Sequence, residues 1–356
     1  MSKNILLTGG GTAGHILPII AITESLKTNH RVNLLYVGAK NGLEEEIALK
    51  NGLKFKSILV GKWRNYFSFQ NFIDIFKTGI GLIQTFFIFI NFRPNIVLAK
   101  GGFVTIPTVF WAKLFHIPVV IHESDVVMGK ANRLASNYAS RICVGFPIKY
   151  YNNVPTEKLI YTGTPINKDF LKPIDSQTDQ GRKKILITGG SQGATRINEI
   201  ADQIMMRLLE KYEIWHLVGV KNVEKFKNRE YSNNQYYHFY GFTDKMSEIM
   251  SQVDLVISRS SANTLTEISA LSKPSILLPL SSAAQDHQTA NAKVFEENSA
   301  AIVLSENSLT SDSLLSIINH LIEDKKLRDL IGHHARQFAR EDSVKEIIEV
   351  LFEVMK

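Results

Sequence analysis

The sequence predicts an α/β fold with two Rossmann-like domains, each built on a parallel sheet. The chain has 356 residues, more than one ordinary hydrophobic core accommodates. Short apolar runs alternate with longer segments of helical pattern, which is typical of βαβ units around a sheet buried on both faces. A strand, a glycine-rich turn and a helix occur near the N-terminus and again about 180 residues later. Two similar halves are therefore expected to face each other across a cleft, where we expect the functional site.

Ten strands are predicted, six in a domain over residues 1–163 and four in a domain over residues 164–339. In chain order they are Asn4–Leu7, Val32–Val37, Ile96–Ala99, Val119–Ile121, Ile142–Val144, Leu159–Thr162, Lys184–Thr188, Trp215–Val218, Leu255–Ser258 and Ser275–Pro279. The polar stretch Lys172–Lys184 is the candidate linker. A charged C-terminal helix at about residues 340–356 is expected, by analogy with twin-domain folds, to pack back on the first domain.

Composition restricts the partners and the compartment. A net charge of +7 and a pI near 9.2 favour an anionic partner, which leaves nucleic acid, an acidic membrane surface and phosphorylated small molecules open. The single cysteine, Cys143, excludes an intramolecular disulfide and a multi-cysteine zinc site. Its apolar neighbours predict a buried strand residue, and a reducing compartment is expected.

No membrane-crossing or export segment is predicted. The N-terminal residues run directly into glycines and leave no room for the apolar core of a signal peptide. The most hydrophobic stretch, Thr78–Phe92, has 15 residues, short of the roughly 20 that a spanning helix needs. The protein is therefore expected to stay inside the cell without crossing the membrane.

The glycine-rich turn Gly9–Gly14 contains the pattern G-x-G-x-x-G directly after the first strand. Such a turn lets backbone approach a phosphate at a helix N-terminus. Dinucleotide binding also requires an acid at the end of the next strand, but Val32–Val37 is followed by Gly38, Ala39 and Lys40. The turn therefore favours a sugar-nucleotide or acceptor site, with a purely structural turn as the alternative.

His15 follows this turn at the start of the first predicted helix. The positive end of the helix dipole should lower the pKa of the imidazole and keep it neutral enough to accept a proton. His15 is therefore a candidate general base. The alternative is a histidine that only donates to a neighbouring carbonyl.

Two further segments follow predicted strands and should emerge at the same sheet edge as the glycine turn. One contains Gly101, Gly102 and Phe103, and the other contains His122 and Glu123. These residues are candidates for the acceptor side of the site. The alternative for His122 and Glu123 is a buried, hydrogen-bonded pair that braces the loops.

The second half offers the features of a donor site. The turn Gly189–Gly193 repeats the first arrangement and can bind a diphosphate through backbone amides and the Ser191 hydroxyl. Small polar residues precede Glu267 in a predicted helix start, where a carboxylate can accept two ribose hydroxyl protons. The alternative for Glu267 is a solvated helix acid.

Six segments in register resemble the MurG family of N-acetylglucosaminyltransferases. They are G-G-G-T-A-G-H, K-G-G-F-V-T-I-P, H-E-S-D, G-G-S-Q-G-A, the S-x-x-T-x-x-E helix start and the Q-x-x-N segment. The resemblance implies a GT-B fold, UDP-N-acetylglucosamine as donor held mainly by the second domain, and lipid I as acceptor at the first. It also implies transfer of N-acetylglucosamine to the C4 hydroxyl of N-acetylmuramic acid, giving lipid II for peptidoglycan synthesis, without a cofactor.

The resemblance also carries over individual residues. His15 matches the candidate catalytic histidine of the family. The donor-binding positions are Thr12, Ala13, Gly14, Asp125, Asn167, Ser191, Thr243, Ala262, Asn263, Thr264, Leu265, Thr266, Glu267, Gln288 and Asn291. Asp125, Asn167 and Ser261 stand where the family usually has asparagine, arginine and glycine.

The expected mechanism needs no metal. No Asp-x-Asp pair occurs, so the charge on departing UDP should be met by helix N-termini, backbone amides and Arg259. A base that deprotonates the acceptor hydroxyl permits direct displacement at the anomeric carbon and inversion to a β-linkage. His15 is the first choice for that base.

An aromatic segment with a basic margin, Trp63–Phe92, suits a membrane interface beside a polyprenyl acceptor. Its rings are Trp63, Tyr66, Phe67, Phe69, Phe72, Phe76, Phe86, Phe87, Phe89 and Phe92. The alternative is that several of them pack on the sheet. We expect a peripheral protein at the cytoplasmic face of the cell membrane that binds an anionic membrane surface and no nucleic acid.

Three other functions stay open at this point. A GT-B transferase could use another lipid acceptor, such as diacylglycerol, and a UDP-N-acetylglucosamine epimerase or a non-catalytic nucleotide-sugar binding protein could share the fold. The aromatic segment argues against the epimerase, because a soluble sugar needs no membrane face.

Overall fold

The computed structural model describes residues 2–61, 69–152, 154–172, 181–190, 194–280 and 283–355. The chain forms two compact units. The N-terminal unit comprises Met1–Ile166 and Arg340–Lys356, and the C-terminal unit comprises Asn167–Ala339. Each unit is an α/β domain on a parallel sheet, so the predicted fold class is confirmed. Most of the candidate linker, residues 173–180, lies outside the described residues.

The N-terminal unit has a seven-stranded parallel sheet in the described residues, with strand order 3-2-1-4-5-6-7. The strands are β1 (Lys3–Thr8), β2 (Val32–Ala39), β3 (Lys54–Ile58), β4 (Ile96–Ala99), β5 (Val119–Glu123), β6 (Arg141–Val144) and β7 (Leu159–Tyr161). The first five helices are α1 (Ala13–Asn29), α2 (Leu43–Lys50), α3 (Phe69–Phe92), α4 (Thr105–Leu114) and α5 (Lys130–Ser136). Cys143 is a buried residue of β6, as predicted, and burial raises the pKa of its thiol to about 12.

The C-terminal unit has a six-stranded parallel sheet in the described residues, with strand order 10-9-8-11-12-13. The strands are β8 (Lys184–Thr188), β9 (Glu213–Leu217), β10 (Tyr237–Tyr240), β11 (Leu255–Ser258), β12 (Ser275–Leu277) and β13 (Ile302–Val303). The helices are α6 (Thr195–Lys211), α7 (Val223–Lys227), α8 (Met246–Gln252), α9 (Ala262–Ala270), α10 (His287–Glu297), α11 (Ser311–Glu323) and α12 (Lys325–Arg336).

The last helix, α13 (Ser343–Val354), belongs to the N-terminal unit although it follows the whole C-terminal unit in sequence. Its Ile347 and Leu351 are fully buried in the same core as Ile5 of β1 and Ile16 of α1. The core of the N-terminal unit is therefore complete only when residues from both ends of the chain are present.

Strand order reverses at β1 in one sheet and at β8 in the other. In doubly wound sheets, ligands bind at the carboxyl ends of the strands where the order reverses. β1 lies between β2 and β4, which places the turn Gly9–Gly14 beside the loop that begins at Lys100. β8 lies between β9 and β11, which places Gly189 beside the loop that begins at Arg259. The sheet topology thus selects one candidate region in each unit.

Candidate active site

The two loops after β1 and β4 pack backbone against backbone. The Gly10 amide donates to the Gly101 carbonyl at 3.1 Å. A Cβ on Gly102 would lie 2.4 Å from the Gly10 oxygen, so no larger residue fits at that position. Gly102 and Gly11 also have φ values of +86° and +92°, which L side chains rarely adopt. The glycines in these loops therefore serve close approach and backbone geometry together.

The N-terminus of α1 keeps free donors at this point. The N-cap residue Thr12 makes no side-chain capping hydrogen bond, and the first turn carries no acid. In the described chain, no acceptor is found for the N–H groups of Ala13 and Gly14. Thr12 is exposed and the next two residues are partly exposed, so an anionic group can reach these donors.

His15 lies on the first turn of α1, and the structure defines its orientation. Its Nδ1 lies 2.8 Å from the Gly10 carbonyl oxygen. A carbonyl only accepts, so Nδ1 carries the hydrogen and a neutral imidazole has its lone pair on Nε2. The donation to a neighbouring carbonyl that was the alternative for His15 is therefore present. This contact fixes the tautomer that a base acting through Nε2 requires.

His122 and Lys100 are buried at the carboxyl ends of β5 and β4. His122 Nε2 donates to the Gly163 carbonyl at 2.8 Å, and Lys100 Nζ donates to Ser124 Oγ at 2.7 Å. Burial lowers the pKa of His122 well below its ordinary value, and the Lys100 charge lowers it further. His122 is thus neutral and fully enclosed, which favours the bracing role over direct contact with a substrate.

Glu123 is a buried carboxylate that organises the loop after β5. Its Oε1 accepts from the Asp125 amide at 3.1 Å, and its Oε2 accepts from the Gly129 amide at 2.9 Å and from Asn132 Nδ2 at 3.0 Å. Burial and then Asp125 raise the pKa of Glu123, whereas Lys100 and these donors oppose the rise. With its oxygens used by the protein, Glu123 is also better suited to bracing.

Lys100 and Asn132 lie in the candidate site region, and the sequence analysis did not select them as candidates. Asn132 Nδ2 lies 3.5 Å from the Lys100 carbonyl and 3.4 Å from the His122 carbonyl, so it links the loops after β4 and β5. It also lies 3.2 Å from the position of a Cβ on Gly101. Lys100 had a signal in the sequence, since a lysine at a strand end before two glycines is unusual in a buried setting. Asn132 had none, because it sits inside an ordinary helical pattern.

Glycines again shape the turn after β8. Gly190 has φ +81°, and its amide donates to Thr188 Oγ1 at 3.2 Å. A Cβ on Gly189 would lie 2.2 Å from the Ala194 nitrogen, so the chain must turn tightly into α6. Ser191 lies outside the described residues, and its contact with the diphosphate stays a prediction.

The N-terminus of α9 is the second helix start with free donors. Ser261 caps it, with its Oγ accepting from the Thr264 amide at 3.3 Å. The N–H groups of Ala262 and Asn263 find no acceptor in the part of the chain that the structure describes. Thr266 Oγ1 donates back to the Ala262 carbonyl at 2.8 Å, whereas Leu265 is buried and can present only its backbone. Asn263 and Thr264 are partly exposed beside these amides.

Glu267 lies one turn further along α9. Its side chain has no hydrogen bond or ion pair with any residue that the structure describes. Part of the residue reaches solvent, but the carboxyl group is deeply set, and this burial raises its pKa to about 8. This deeply set carboxyl group without a protein partner does not match the alternative of a solvated helix acid. It is suited to accept hydrogen bonds from the hydroxyl groups of a ligand.

Arg259 does not meet the expectation of a diphosphate contact. Its guanidinium is buried, with one nitrogen donating to the Leu278 carbonyl at 2.9 Å and another donating to Glu306 Oε1 at 2.6 Å. Arg259 is 8% exposed and Glu306 is 11% exposed, so the pair is enclosed in the C-terminal unit. The sequence placed Arg259 correctly after a strand but gave no signal of Glu306, which lies 47 residues later.

Gln288 and Asn291 make hydrogen bonds within the protein that hold the loop before α9. Asn291 is fully buried and its Nδ2 donates to the Ser260 carbonyl at 3.1 Å. Ser260 Oγ in turn donates to the Gln288 carbonyl at 2.7 Å, and Gln288 Oε1 accepts from the Leu280 amide at 3.0 Å. Gln288 is partly exposed and can still present its amide nitrogen, whereas the Asn291 side chain is enclosed and holds the loop before α9.

Four predicted site residues remain, of which Thr243, Asn167 and Asp125 are donor candidates and Phe103 is an acceptor-side candidate. Thr243 is partly exposed and its Oγ1 accepts from the Lys245 amide at 3.0 Å. Asn167 is exposed and its side chain accepts from the Asp169 amide at 3.0 Å, which caps a short 3₁₀ turn. Asp125 and Phe103 are partly exposed in the N-terminal unit. The roles of these four residues with a ligand stay predictions.

Both units match domains of one enzyme family. The glycosyltransferase family 28 N-terminal domain matches residues 5–144, and the family 28 C-terminal domain matches residues 184–347.

Relatives and solved structures extend the match along the whole chain. The chain is 36% identical to a UDP-N-acetylglucosamine–N-acetylmuramyl-(pentapeptide) pyrophosphoryl-undecaprenol N-acetylglucosamine transferase of Clostridium botulinum strain Langeland, over 98% of both chains. The crystal structure of Acinetobacter baumannii MurG matches with a TM-score of 0.79 at 24% identity, covering 99% of each chain. A Neisseria meningitidis UDP-GlcNAc 2-epimerase bound to UDP-GlcNAc matches with a TM-score of 0.67 at 15% identity, covering 99% of this chain and 100% of the other. The structural likenesses confirm the predicted GT-B fold class.

Proposed function

Because the chain belongs to the MurG family within glycosyltransferase family 28, we propose that it transfers N-acetylglucosamine from UDP-N-acetylglucosamine to lipid I and so forms lipid II. The observation that carries this proposal is the 36% identity over 98% of both chains to a transferase of that name. A fold match alone would not separate a transferase from an epimerase, since the epimerase shares the fold at a TM-score of 0.67.

The C-terminal unit supplies the chemistry of a donor site. We assign the diphosphate to the free Ala262 and Asn263 amides at the N-terminus of α9, where the helix dipole favours negative charge. We assign the ribose hydroxyls to Glu267, whose carboxyl group has no partner in the described protein. These donors also stabilise the charge that develops on departing UDP.

The N-terminal unit supplies the base. In the proposed reaction His15 Nε2 takes the proton of the N-acetylmuramic acid C4 hydroxyl, and that oxygen attacks the anomeric carbon of the donor sugar. The bond from the anomeric carbon to the UDP oxygen breaks as the new glycosidic bond forms. A single displacement inverts the configuration and gives a β-linkage.

The transfer is tested with radiolabelled UDP-N-acetylglucosamine and three acceptors: lipid I, diacylglycerol and water alone. We expect label in lipid II and none in the other two reactions. Label in the diacylglycerol product would assign a different lipid acceptor. Release of an epimerised UDP-sugar without acceptor would overturn the transferase assignment in favour of the epimerase.

Donor binding is expected to depend on the protonation of Glu267. In the ligand-free protein, burial raises the pKa of Glu267 to about 8. In the proposed complex the ribose hydroxyls donate to the ionised carboxylate. Binding therefore releases a proton below pH 8, and affinity should fall by up to about tenfold per pH unit as the pH decreases from 8 to 6. Above pH 8 the affinity should level off. Calorimetry with UDP-N-acetylglucosamine, whose diphosphate stays fully ionised over this range, measures the effect.

Glu267→Ala provides the control for this pH dependence. It should weaken binding at pH 8 by about 1 to 3 kcal/mol, the contribution of hydrogen bonds to a charged group, and should leave a flat profile between pH 6 and 8. The neighbouring Thr266→Ala should keep the slope, because Thr266 bonds to its own helix. A wild-type affinity that does not change with pH, or an unchanged slope in Glu267→Ala, removes Glu267 from the ribose site.

We further propose that α3 and α4 lie on an anionic membrane surface at the cytoplasmic face, which makes the protein peripheral. An apolar stripe on α3 consists of Phe76, Ile80, Ile83, Phe87 and Ile90. These residues are 43% to 74% exposed and repeat at helical spacing on one face. Exposed Phe110 and Leu114 of α4 stand on the helix packed beside it. Such an apolar face, with exposed Lys77 in α3 and exposed Arg93 directly after it, suits an interfacial helix, whereas an apolar stripe does not suit nucleic acid.

The structure separates surface rings from core rings within this segment. Phe87 is 57% exposed, whereas Phe89 is 3% exposed and stacks on Phe115 at 6.0 Å. Phe86 lies 4.8 Å from the ring of Trp111. The packing interpretation therefore holds for Phe86 and Phe89, whereas contact of the exposed rings with a membrane stays our proposal. Trp63, Tyr66 and Phe67 lie outside the described residues, and the side chains of Phe69 and Phe72 are likewise not described. In the described chain, no helix has the length and apolarity to cross a bilayer.

Replacing the exposed residues Phe76, Ile83 and Phe87 by serine should abolish most binding to anionic liposomes. The expected loss reflects roughly 1.5 to 3 kcal/mol for each large apolar side chain removed from the interface. Because these side chains are exposed, the melting temperature should change little. Cosedimentation with phosphatidylglycerol vesicles and a melting curve measure the two effects.

Phe89→Ser is the matched control, since it should unfold or strongly destabilise the protein through loss of a core ring. If the triple variant is folded and still sediments fully with vesicles, the membrane assignment is wrong.

A further inference from the structure

The carboxylate of Glu44 is buried beside the glycine turn and has no direct part in the proton transfer or the displacement proposed above. Glu44 stands in the first turn of α2 and is 1% exposed. Its Oε2 accepts from the Gly11 amide at 3.3 Å, and its Oε1 accepts from the Ala39 amide at 2.9 Å. In the described residues no cation pairs with it. Burying a carboxylate that only backbone amides hold costs folding free energy. Its presence here therefore suggests a role for the carboxylate at this position.

Three glycines make the space for this carboxylate. A Cβ on Gly10 would lie 2.3 Å from Glu44 Oε1, one on Gly38 would lie 2.6 Å from Cγ, and one on Gly42 would lie 2.6 Å from Cδ. None of the three has a positive φ, so backbone conformation does not explain why they are glycine. Their shared property is contact with Glu44.

One peptide group connects Glu44 to His15. The Gly11 N–H that Glu44 accepts and the Gly10 carbonyl that His15 Nδ1 donates to belong to the same peptide unit. In a trans peptide these two groups point in opposite directions, so the unit is held at one end by a carboxylate and at the other by the imidazole. Hydrogen bonds in such a chain polarise one another.

Resting on the proposed transferase function, we propose that Glu44 is a positioning residue for His15, acting through the Gly10–Gly11 peptide. The carboxylate holds the peptide so that its carbonyl faces Nδ1, which keeps the lone pair on Nε2. If this peptide rotated by half a turn, its N–H would face the histidine and Nδ1 would have to accept, leaving Nε2 protonated and unable to act as a base. The negative charge also stabilises the imidazolium that forms when His15 takes the acceptor proton.

In the part of the chain that the structure describes, the charged and titratable groups seen against the glycine turn besides His15 are Glu44 on α2, Tyr36 on β2 and Lys100 after β4. Tyr36 donates to the Gly9 carbonyl at 2.7 Å, and burial raises its pKa above the usual range, so it is neutral. Lys100 Nζ donates to Ser124 Oγ, and its charge interacts with Glu123 and Asp125. Of these groups, the Glu44 carboxylate is therefore the negative charge that bonds to the turn itself.

The first test compares Glu44→Gln with Glu45→Gln. Glu45 is the matched control, because it is the next residue of α2 and accepts from the Asn41 amide at 2.9 Å. In Glu44→Gln we expect a kcat about tenfold lower, an unchanged KM for UDP-N-acetylglucosamine, and an acid limb of the kcat profile moved to lower pH. The limb moves down because loss of the anion makes His15 easier to deprotonate. Glu45→Gln should behave as wild type. An unchanged kcat and acid limb in Glu44→Gln would overturn the proposal.

The second test removes the histidine. If Glu44 acts through His15, Glu44→Gln should lower kcat no further in a His15→Ala background, so the two losses are not additive. Additive losses would mean that Glu44 acts otherwise, and they would contradict the proposal. The ¹⁵N NMR signals of His15 give a readout that needs no acceptor: Nδ1 should carry the hydrogen in wild type and lose that preference in Glu44→Gln. This result holds or fails whether or not lipid I is the substrate.

Discussion

His15→Ala is expected to reduce kcat by about 10² to 10⁴-fold, the usual contribution of a general base. The structure gives the reason, because the bond from Nδ1 to the Gly10 carbonyl leaves Nε2 as the basic nitrogen. The KM for UDP-N-acetylglucosamine should change little if the C-terminal unit holds most of the donor. The acid limb of the pH profile should disappear with the histidine. Steady-state kinetics with lipid I from pH 5.5 to 9 measure all three quantities.

His15→Asn distinguishes catalysis from bracing of the glycine turn. The asparagine amide can donate to the Gly10 carbonyl in place of Nδ1 but cannot accept the acceptor's proton. We therefore expect His15→Asn to be as slow as His15→Ala. Recovery of most of the rate in His15→Asn would show that the imidazole only braces the turn. A slow variant that keeps the acid limb would assign the base to another group, with Asp125 and Glu123 the first to examine.

Glu306→Ala is expected to destabilise the C-terminal unit by about 3 to 5 kcal/mol, the cost of breaking a buried ion pair from one side. The variant leaves the Arg259 guanidinium enclosed without its carboxylate, since the Leu278 carbonyl is its other hydrogen-bond partner. Equilibrium urea denaturation, followed by the fluorescence of Trp215 in that unit, measures the change.

Asp312→Ala is the control, because Arg207 and Asp312 also lie 2.6 Å apart but are 52% and 79% exposed. A solvated pair of this kind contributes about 0 to 1 kcal/mol. The two pairs have the same N–O distance and differ strongly in burial. Equal losses of unfolding free energy in the two variants would show that the Arg259–Glu306 pair is not desolvated. Arg259 would then again be a candidate for contact with the diphosphate.

Much of the fold could be read from the sequence, and the exceptions share a cause. The central strands β1, β4, β8 and β11 each contain an uninterrupted run of three or four apolar residues, because helices cover both faces of a parallel sheet. The strands that the sequence analysis missed, β3, β10 and β13, all lie at sheet edges. An edge strand is partly exposed and mixes polar with apolar residues, as in Lys54–Ile58, so the pattern that identifies a central strand is absent.

The sequence by itself determined which segments reach the candidate region of each unit, because a residue at the end of a parallel strand must emerge at one edge of its sheet. His15, Gly101, Glu267 and the turn at Gly189 could be selected in this way. Tertiary structure alone decided which partner each side chain meets. Arg259 with Glu306, Asn291 with Ser260 and Glu44 with Gly11 are contacts between segments far apart in the chain. Local pattern encodes burial and periodicity, whereas hydrogen-bond partners depend on distances that only the packed sheets, helices and loops fix.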